Sequence, residues 1–155
     1  MKRPCRENCY LNEHGELLIS NYHRFTGKNL VERKQSREEM YRLLYEAPFG
    51  VVSHGTEDDP IFNYGNLTAQ KLFQMSWSDL TQLPSRESAA PINQADRERL
   101  LARVGEDGFV DGYRGVRISS TGARFWIEDT TIWNLIDEVG VYRGQAAVFY
   151  SWSEL

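Results

Sequence analysis

Cysteine is scarce here: Cys5 and Cys9 are the only two in 155 residues, both inside the charged N-terminal stretch "MKRPCRENCY". Two thiols cannot build a disulfide framework, and with His14 they supply three metal ligands at most, a poor zinc cage. Two reduced thiols in a frayed terminus are expected. Long apolar runs are missing as well. None approaches the roughly 18 residues of a membrane span, and the N-terminus lacks the apolar stretch of a secretory signal. The chain is therefore expected in the cytoplasm, away from membranes. Charge of one sign is missing too: 22 acidic and 18 basic residues leave a formal net charge of −4. That balance offers nucleic-acid phosphates no basic footprint. There is no Gly-rich phosphate loop, no G-x-S-x-G elbow and no helix with paired histidines, so the best-known nucleotide, serine-hydrolase and zinc-protease motifs are excluded.

What is present suits one globular domain, with 41% hydrophobic and 26% charged residues. The first third reads as helical. "HGELLISNYHRF" puts Leu18, Tyr22 and Phe25 at helical spacing, with Gly27 where a helix would end. "SREEMYRLLYEAP" opens with Ser36 as N-cap and Glu39 three residues on, carries Met40, Leu43 and Leu44 as a stripe, and closes at Pro48. From Phe49 the pattern changes. "FGVVSH" and "IFNY" are short strand-like runs, followed by helices capped by Asn66 and Ser76. A longer amphipathic helix, "NQADRERLLARVGEDG", carries Leu100, Leu101 and Val104. Three strand-like runs then follow, separated by "STG" and "EVG". Strands, helices, then hairpin-connected strands predict an α+β fold with an antiparallel sheet. The expected division is residues 1–48 as tail and packing helices, and 49–155 as the sheet domain.

The stretch "GVVSHGTEDDPIFNYGN" gathers His54, Asp58, Asp59 and Tyr64. A histidine beside carboxylates suits acid–base chemistry. Asp-Asp-Pro between two short strands suits a turn better, with His54 stitching the loop. A metal there would need more ligands, and His14 and His23 belong to the helical segment.

"SHGTEDDPIFNYGN", "LPSR", "GYRGVRIS", "RFWIED", "WNLID" and "GQAAVF" occur in order from about Pro48 to Phe149, and together they resemble the MEKHLA domain family, a PAS-related group. The resemblance implies a PAS-like sensory or interaction module, with a ligand cavity between sheet and helices, and it names neither a reaction nor a ligand. Among PAS cofactors, a cysteinyl flavin or a coumaroyl chromophore needs a pocket cysteine, and both cysteines lie outside the PAS-like region. Haem needs an axial ligand that "NQADRERLLARV" lacks. Ile127 stands where flavin sensors carry an asparagine, which leaves noncovalent flavin open but disfavoured.

With Thr121 and Gly122 as a two-residue hairpin tip, Ile118 faces Phe125, Val116 faces Ile127, Arg114 faces Asp129 and Val110 faces Trp133. Alternation then predicts an inner, cavity-side face bearing these residues with Gly144 and Ala146, and an Arg114–Asp129 ion pair within it or at its rim. The opposite face would carry Trp126, Ile132 and Phe149, apolar enough to need covering by the N-terminal helices of the same chain or of a dimer partner. The cavity candidates are His54, Tyr64, Arg114, Asp129 and Trp133. Three functions follow: a sensor binding a small organic ligand and signalling through a homodimer or another protein, a ligand-free interaction module, and a small enzyme using His54 or Arg114/Asp129.

Overall fold

The computed structural model describes residues 2–89 and 94–155. The N-terminal tail is tied down rather than frayed. Pro4 is buried, and Arg6–Asn8 form a 3-10 turn. The Asn8 side chain holds that turn, its Oδ1 accepting from the amides of Cys5 at 3.0 Å and Leu11 at 3.2 Å.

Two helices follow, α1 (Asn12–Thr26) and α2 (Arg37–Tyr45). Gly27 ends α1 in the left-handed conformation at φ 73°, which costs glycine nothing. Ser36 caps α2 by accepting from the Glu39 amide. The strands β1 (Gly50–His54) and β2 (Phe62–Gly65) lead to α3 (Leu67–Phe73) and α4 (Trp77–Leu80), capped by Asn66 and Ser76 as expected. Helix α5 (Gln94–Asp107) precedes β3 (Phe109–Ile118), β4 (Arg124–Ile136) and β5 (Tyr142–Glu154). Val104 of the α5 stripe is buried; the Leu101 side chain lies outside the described residues.

The sheet is antiparallel with strand order β2-β1-β5-β4-β3. Placing the last strand at the centre gives each sheet face its own core. On the outer face, α1 and α2 lay Leu18, Tyr22, Met40 and Leu44 over Val51, Trp133, Leu135, Ala146 and Val148. On the inner face, α3 and α4 contribute Phe73 and Leu80 to a second core with Phe62, Phe125, Ile127 and Phe149. Helix α1 is pinned by polar contacts as well: buried Asn21 donates from Nδ2 to the Ile136 carbonyl at 3.0 Å. Asn66 does more than cap. Its Oδ1 accepts from the amides of Val51 and Ala69, and its Nδ2 donates to the carbonyls of Leu44 and Phe49, joining α2, β1 and α3.

The β3–β4 register differs from the expected one. The turn spans Ser119 to Ala123, whose backbones are joined by a 2.9 Å hydrogen bond, so Ile118 pairs with Arg124 and Val116 with Trp126. A second irregularity follows. Gly115 pairs with Ile127 and Tyr113 with Thr130, so Arg114 alone lies opposite Glu128 and Asp129. This is a β-bulge with Asp129 in the left-handed region at φ 47°. It reverses the alternation along β4: Phe125 and Ile127 pack in the inner core, while Trp133 and Leu135 pack in the outer one.

Several expectations are corrected as a result. Arg114 does not pair with Asp129; its guanidinium lies 3.7 Å over the Trp126 ring, and its Nε donates to Glu128 at 3.1 Å, in the open. Asp129 is exposed. Trp133 and Ala146 move from the inner to the outer face, and Phe149 moves the other way, its ring against Phe73. Ile132 pairs with Ala147, which packs on the inner core. If the bulge rather than a buried charge governs Asp129, Asp129→Asn should change stability by less than about 0.5 kcal/mol, because Asn tolerates this conformation. Asp129→Val should cost about 1–2 kcal/mol through backbone strain. Urea melts distinguish the cases: a buried ion pair would make the Asn variant lose roughly 3–5 kcal/mol.

Candidate functional site

A polar row crosses the inner face beside its apolar core. His54 pairs with Gln145, and Gln145 with Asn134, so three hydrogen-bonding side chains lie side by side on β1, β5 and β4. All three are half-buried. Gln145 Nε2 donates to Asn134 Oδ1 at 3.1 Å, and Asn134 Nδ2 donates to the Val104 carbonyl of α5 at 3.1 Å. His54 Nδ1 lies 3.0 Å from the Gly55 carbonyl, which can only accept. In the neutral ring this contact puts the proton on Nδ1 and leaves Nε2 as an acceptor. Gln145 Oε1 is the second acceptor of the row. Such a row can orient the polar edge of an organic molecule.

The acids beside His54 serve the loop instead. Glu57 Oε1 accepts from the Ile61 amide at 3.1 Å, and Asp59 pairs with Arg86 at 3.1 Å in the open. Among the described residues none of these carboxylates is hydrogen-bonded to His54. Nor do any three His, Cys, Asp or Glu side chains among the described residues come together as a metal would require.

A second polar cluster lies on the outer face, and sequence reasoning missed it. His14 of α1 places Nε2 2.8 Å from Ser53 Oγ on β1, and Ser53 donates to Asn63 Oδ1 at 2.5 Å. With the single hydroxyl proton on Asn63, His14 Nε2 must be the donor, so Ser53 is not poised as a nucleophile. The imidazole stacks on Tyr64 with centroids 5.5 Å apart. It is half-buried, and one edge borders a surface groove of about 740 Å³. Burial pushes the His14 imidazole down from 6.5 to about 4.

That shift has a defined sign. The folded state keeps His14 neutral while the unfolded state protonates it. The histidine's contribution is therefore fully present above pH 6.5 and is lost progressively toward pH 4. The loss should be on the order of 2–3 kcal/mol. His14→Gln should flatten the stability profile in this window when urea midpoints are compared pH by pH. An unchanged slope would mean that another group sets it.

Of the expected cavity residues, only His54 lies on the inner face's polar row. Tyr64 is buried on the outer face between His14, Tyr45 and Trp77, and burial raises its phenol above the usual range. Trp133 is buried under α1, edge-on to Tyr22 at 5.0 Å, and its Nε1 has no partner among the described residues. Trp126 is half-buried beneath Arg114. Gln145 and Asn134 were not picked out, because their shared face depends on the Asp129 bulge.

The fold is similar to that of known proteins, among them a PAS domain from Colwellia psychrerythraea, with TM-score 0.60 and 15% identity over 76% of this chain and 95% of that one. It is also similar to the light-state dimer of the fungal blue-light photoreceptor Vivid, with TM-score 0.58 and 13% identity over 89% and 93% of the two chains. A PAS domain from a two-component sensor histidine kinase gives TM-score 0.54 and 17% identity over 74% and 91%. No curated protein matches. The family model for the MEKHLA domain matches residues 12–154, so the match takes in α1 and α2 as well as the sheet. With an α+β PAS fold and a family match over nearly its whole length, the chain belongs to the MEKHLA domain family.

Proposed function

We propose that this chain is a cytoplasmic PAS-like sensory module that holds a small organic ligand between the inner sheet face and α3–α5. It passes the bound state on through protein contacts. The observation that carries this reading is the row His54–Gln145–Asn134, three half-buried hydrogen-bonding groups side by side on the inner face, next to its apolar core. Structural demands alone would favour apolar residues there. Both cysteines belong to the N-terminal tail and Ile127 is apolar and buried, so the ligand is held by hydrogen bonds and apolar contact. In this reading residues 1–48 are a cap, and 49–155 are the sensing unit.

Native mass spectrometry of protein purified from its host tests the proposal. A stoichiometric small-molecule adduct is expected in the parent chain. Gln145→Leu should lose it while changing stability by less than about 1 kcal/mol. An adduct retained by that variant would remove the row from the site.

A second reading, a ligand-free interaction module, draws on one surface. Trp126 beneath the stacked Arg114, and exposed Tyr150, lie on the outer side of the sheet beyond the core formed with α1 and α2. Arg and aromatic residues of this kind are enriched at interfaces, and a homodimer through this patch would export the signal. Absence of any adduct, together with concentration-dependent dimerisation abolished by Trp126→Glu, would favour it.

A further inference from the structure

The outer-face groove of about 740 Å³ is lined by parts of the chain far apart in sequence, including α1, Asn63 of β2 and the β4–β5 connection. Its charges do not cancel. Asp137 is spent: Oδ1 accepts from the amides of Val139 and Val141 at 3.0 and 2.9 Å, and Oδ2 accepts from Arg143 at 2.8 Å. That pair neutralises itself. Glu13 remains, exposed and without an ion pair among the described residues. Beside it, His14 donates from Nε2 to Ser53, so its Nδ1 carries a lone pair. Leu11 and Leu17 supply apolar wall. A free carboxylate, an imidazole acceptor and aliphatic surface together complement an ammonium group on an apolar body.

We propose that this groove is a second binding site, separate from the inner face, for a small organic amine, with its ammonium at Glu13 and its apolar part against Leu11 and Leu17. Because the walls come from the cap helix and the sheet, an occupant ties α1 to β2 and to the β4–β5 connection.

Three compounds that share a ring and differ in charge test this: benzylamine, benzamide and benzoate, followed by backbone amide shifts of the full chain. Benzylamine should give saturable shifts at residues 11–17, Asn63 and Arg143. Benzamide should bind about fivefold more weakly, the worth of a partly exposed ion pair. Benzoate should bind more weakly still. Glu13→Lys, at an exposed position that leaves the fold intact, should abolish the benzylamine shifts. The proposal is overturned if benzoate or benzamide binds as well as benzylamine, if Glu13→Lys leaves the affinity unchanged, or if no saturable shift appears in the groove. Shifts confined to His54, Asn134 and Gln145 would overturn it too, while leaving the inner-face reading intact.

Discussion

A chain lacking residues 1–48 is expected to aggregate or unfold rather than persist as a smaller PAS domain. Its sheet would expose Val51, Trp133, Leu135 and Val148, all of which are fully buried beneath α1 and α2. Burial of each such side chain contributes about 1.5–3 kcal/mol. Four of them rival the roughly 5–15 kcal/mol total stability of an ordinary domain. The exposed patch would be contiguous, since these residues occupy neighbouring positions on β1, β5 and β4. Dye binding and sedimentation of the truncated chain would report it directly. A truncated protein that stays monomeric with the parent's melting temperature would show that the cap is dispensable. A subtler version keeps the full length: Leu18→Asp buries a carboxylate in the same core and should release α1 from the sheet, seen as hydrogen exchange at α1 amides. Because α1 and α2 cover the apolar face within one chain, that face does not require a dimer partner.

Gly144→Ala should be the most damaging single methyl group in the molecule. Gly144 has φ 129°, and a Cβ built there would overlap the His54 carbonyl oxygen. Both strain and backbone collision act at once, and the neighbour cannot rotate away, as a flexible side chain would. The cost should be on the order of 3 kcal/mol or more. Gly140 provides the control. It also has positive φ, at 87°, but with nothing near its Cβ position among the described residues, so Gly140→Ala should cost only about 1 kcal/mol. Paired urea melts separate strain from collision. The damage at Gly144 should also reach the proposed ligand row, because Gln145 follows it and His54 holds the clashing carbonyl. An alanine variant as stable as the parent would mean that β1 and β5 do not approach this closely.

Local chemistry was readable where its cause is local. Ser36, Asn66 and Ser76 cap the helices they precede, and Gly27 ends α1, because a cap depends on residues within one turn. The order of strands and helices followed from runs of apolar residues and from turn residues between them. The side-chain assignments on β4 failed for a single reason. Alternation is a period-two rule, and one bulge inverts every assignment beyond it. Asp129, flanked by Glu128 and Thr130, carries no glycine or proline to mark the bulge in the sequence. Phe149 and Trp133 therefore exchanged faces in the expectation; Arg114 lost its supposed partner separately, to the Ser119–Ala123 turn, which shifts the β3–β4 pairing by one residue.

By itself the sequence determined that this is an α+β domain of the MEKHLA type, with a helical N-terminal segment ahead of an antiparallel sheet. Its helix ends, its loop between β1 and β2 and its want of a thiol in the sheet domain were all legible in order along the chain. Only the tertiary structure decided which residues meet. His14 and Ser53 are separated by 38 intervening residues' worth of helix, turn and strand, yet share a hydrogen bond because α1 packs on the outer face of β1. His54, Gln145 and Asn134 form one row only because β5 enters the sheet between β1 and β4 and the Asp129 bulge turns Asn134 inward. The physical reason is the same in both cases. Helix caps and strand periods depend on near neighbours, whereas a site depends on strand order, register and helix docking, which are set by the burial of residues far apart in sequence.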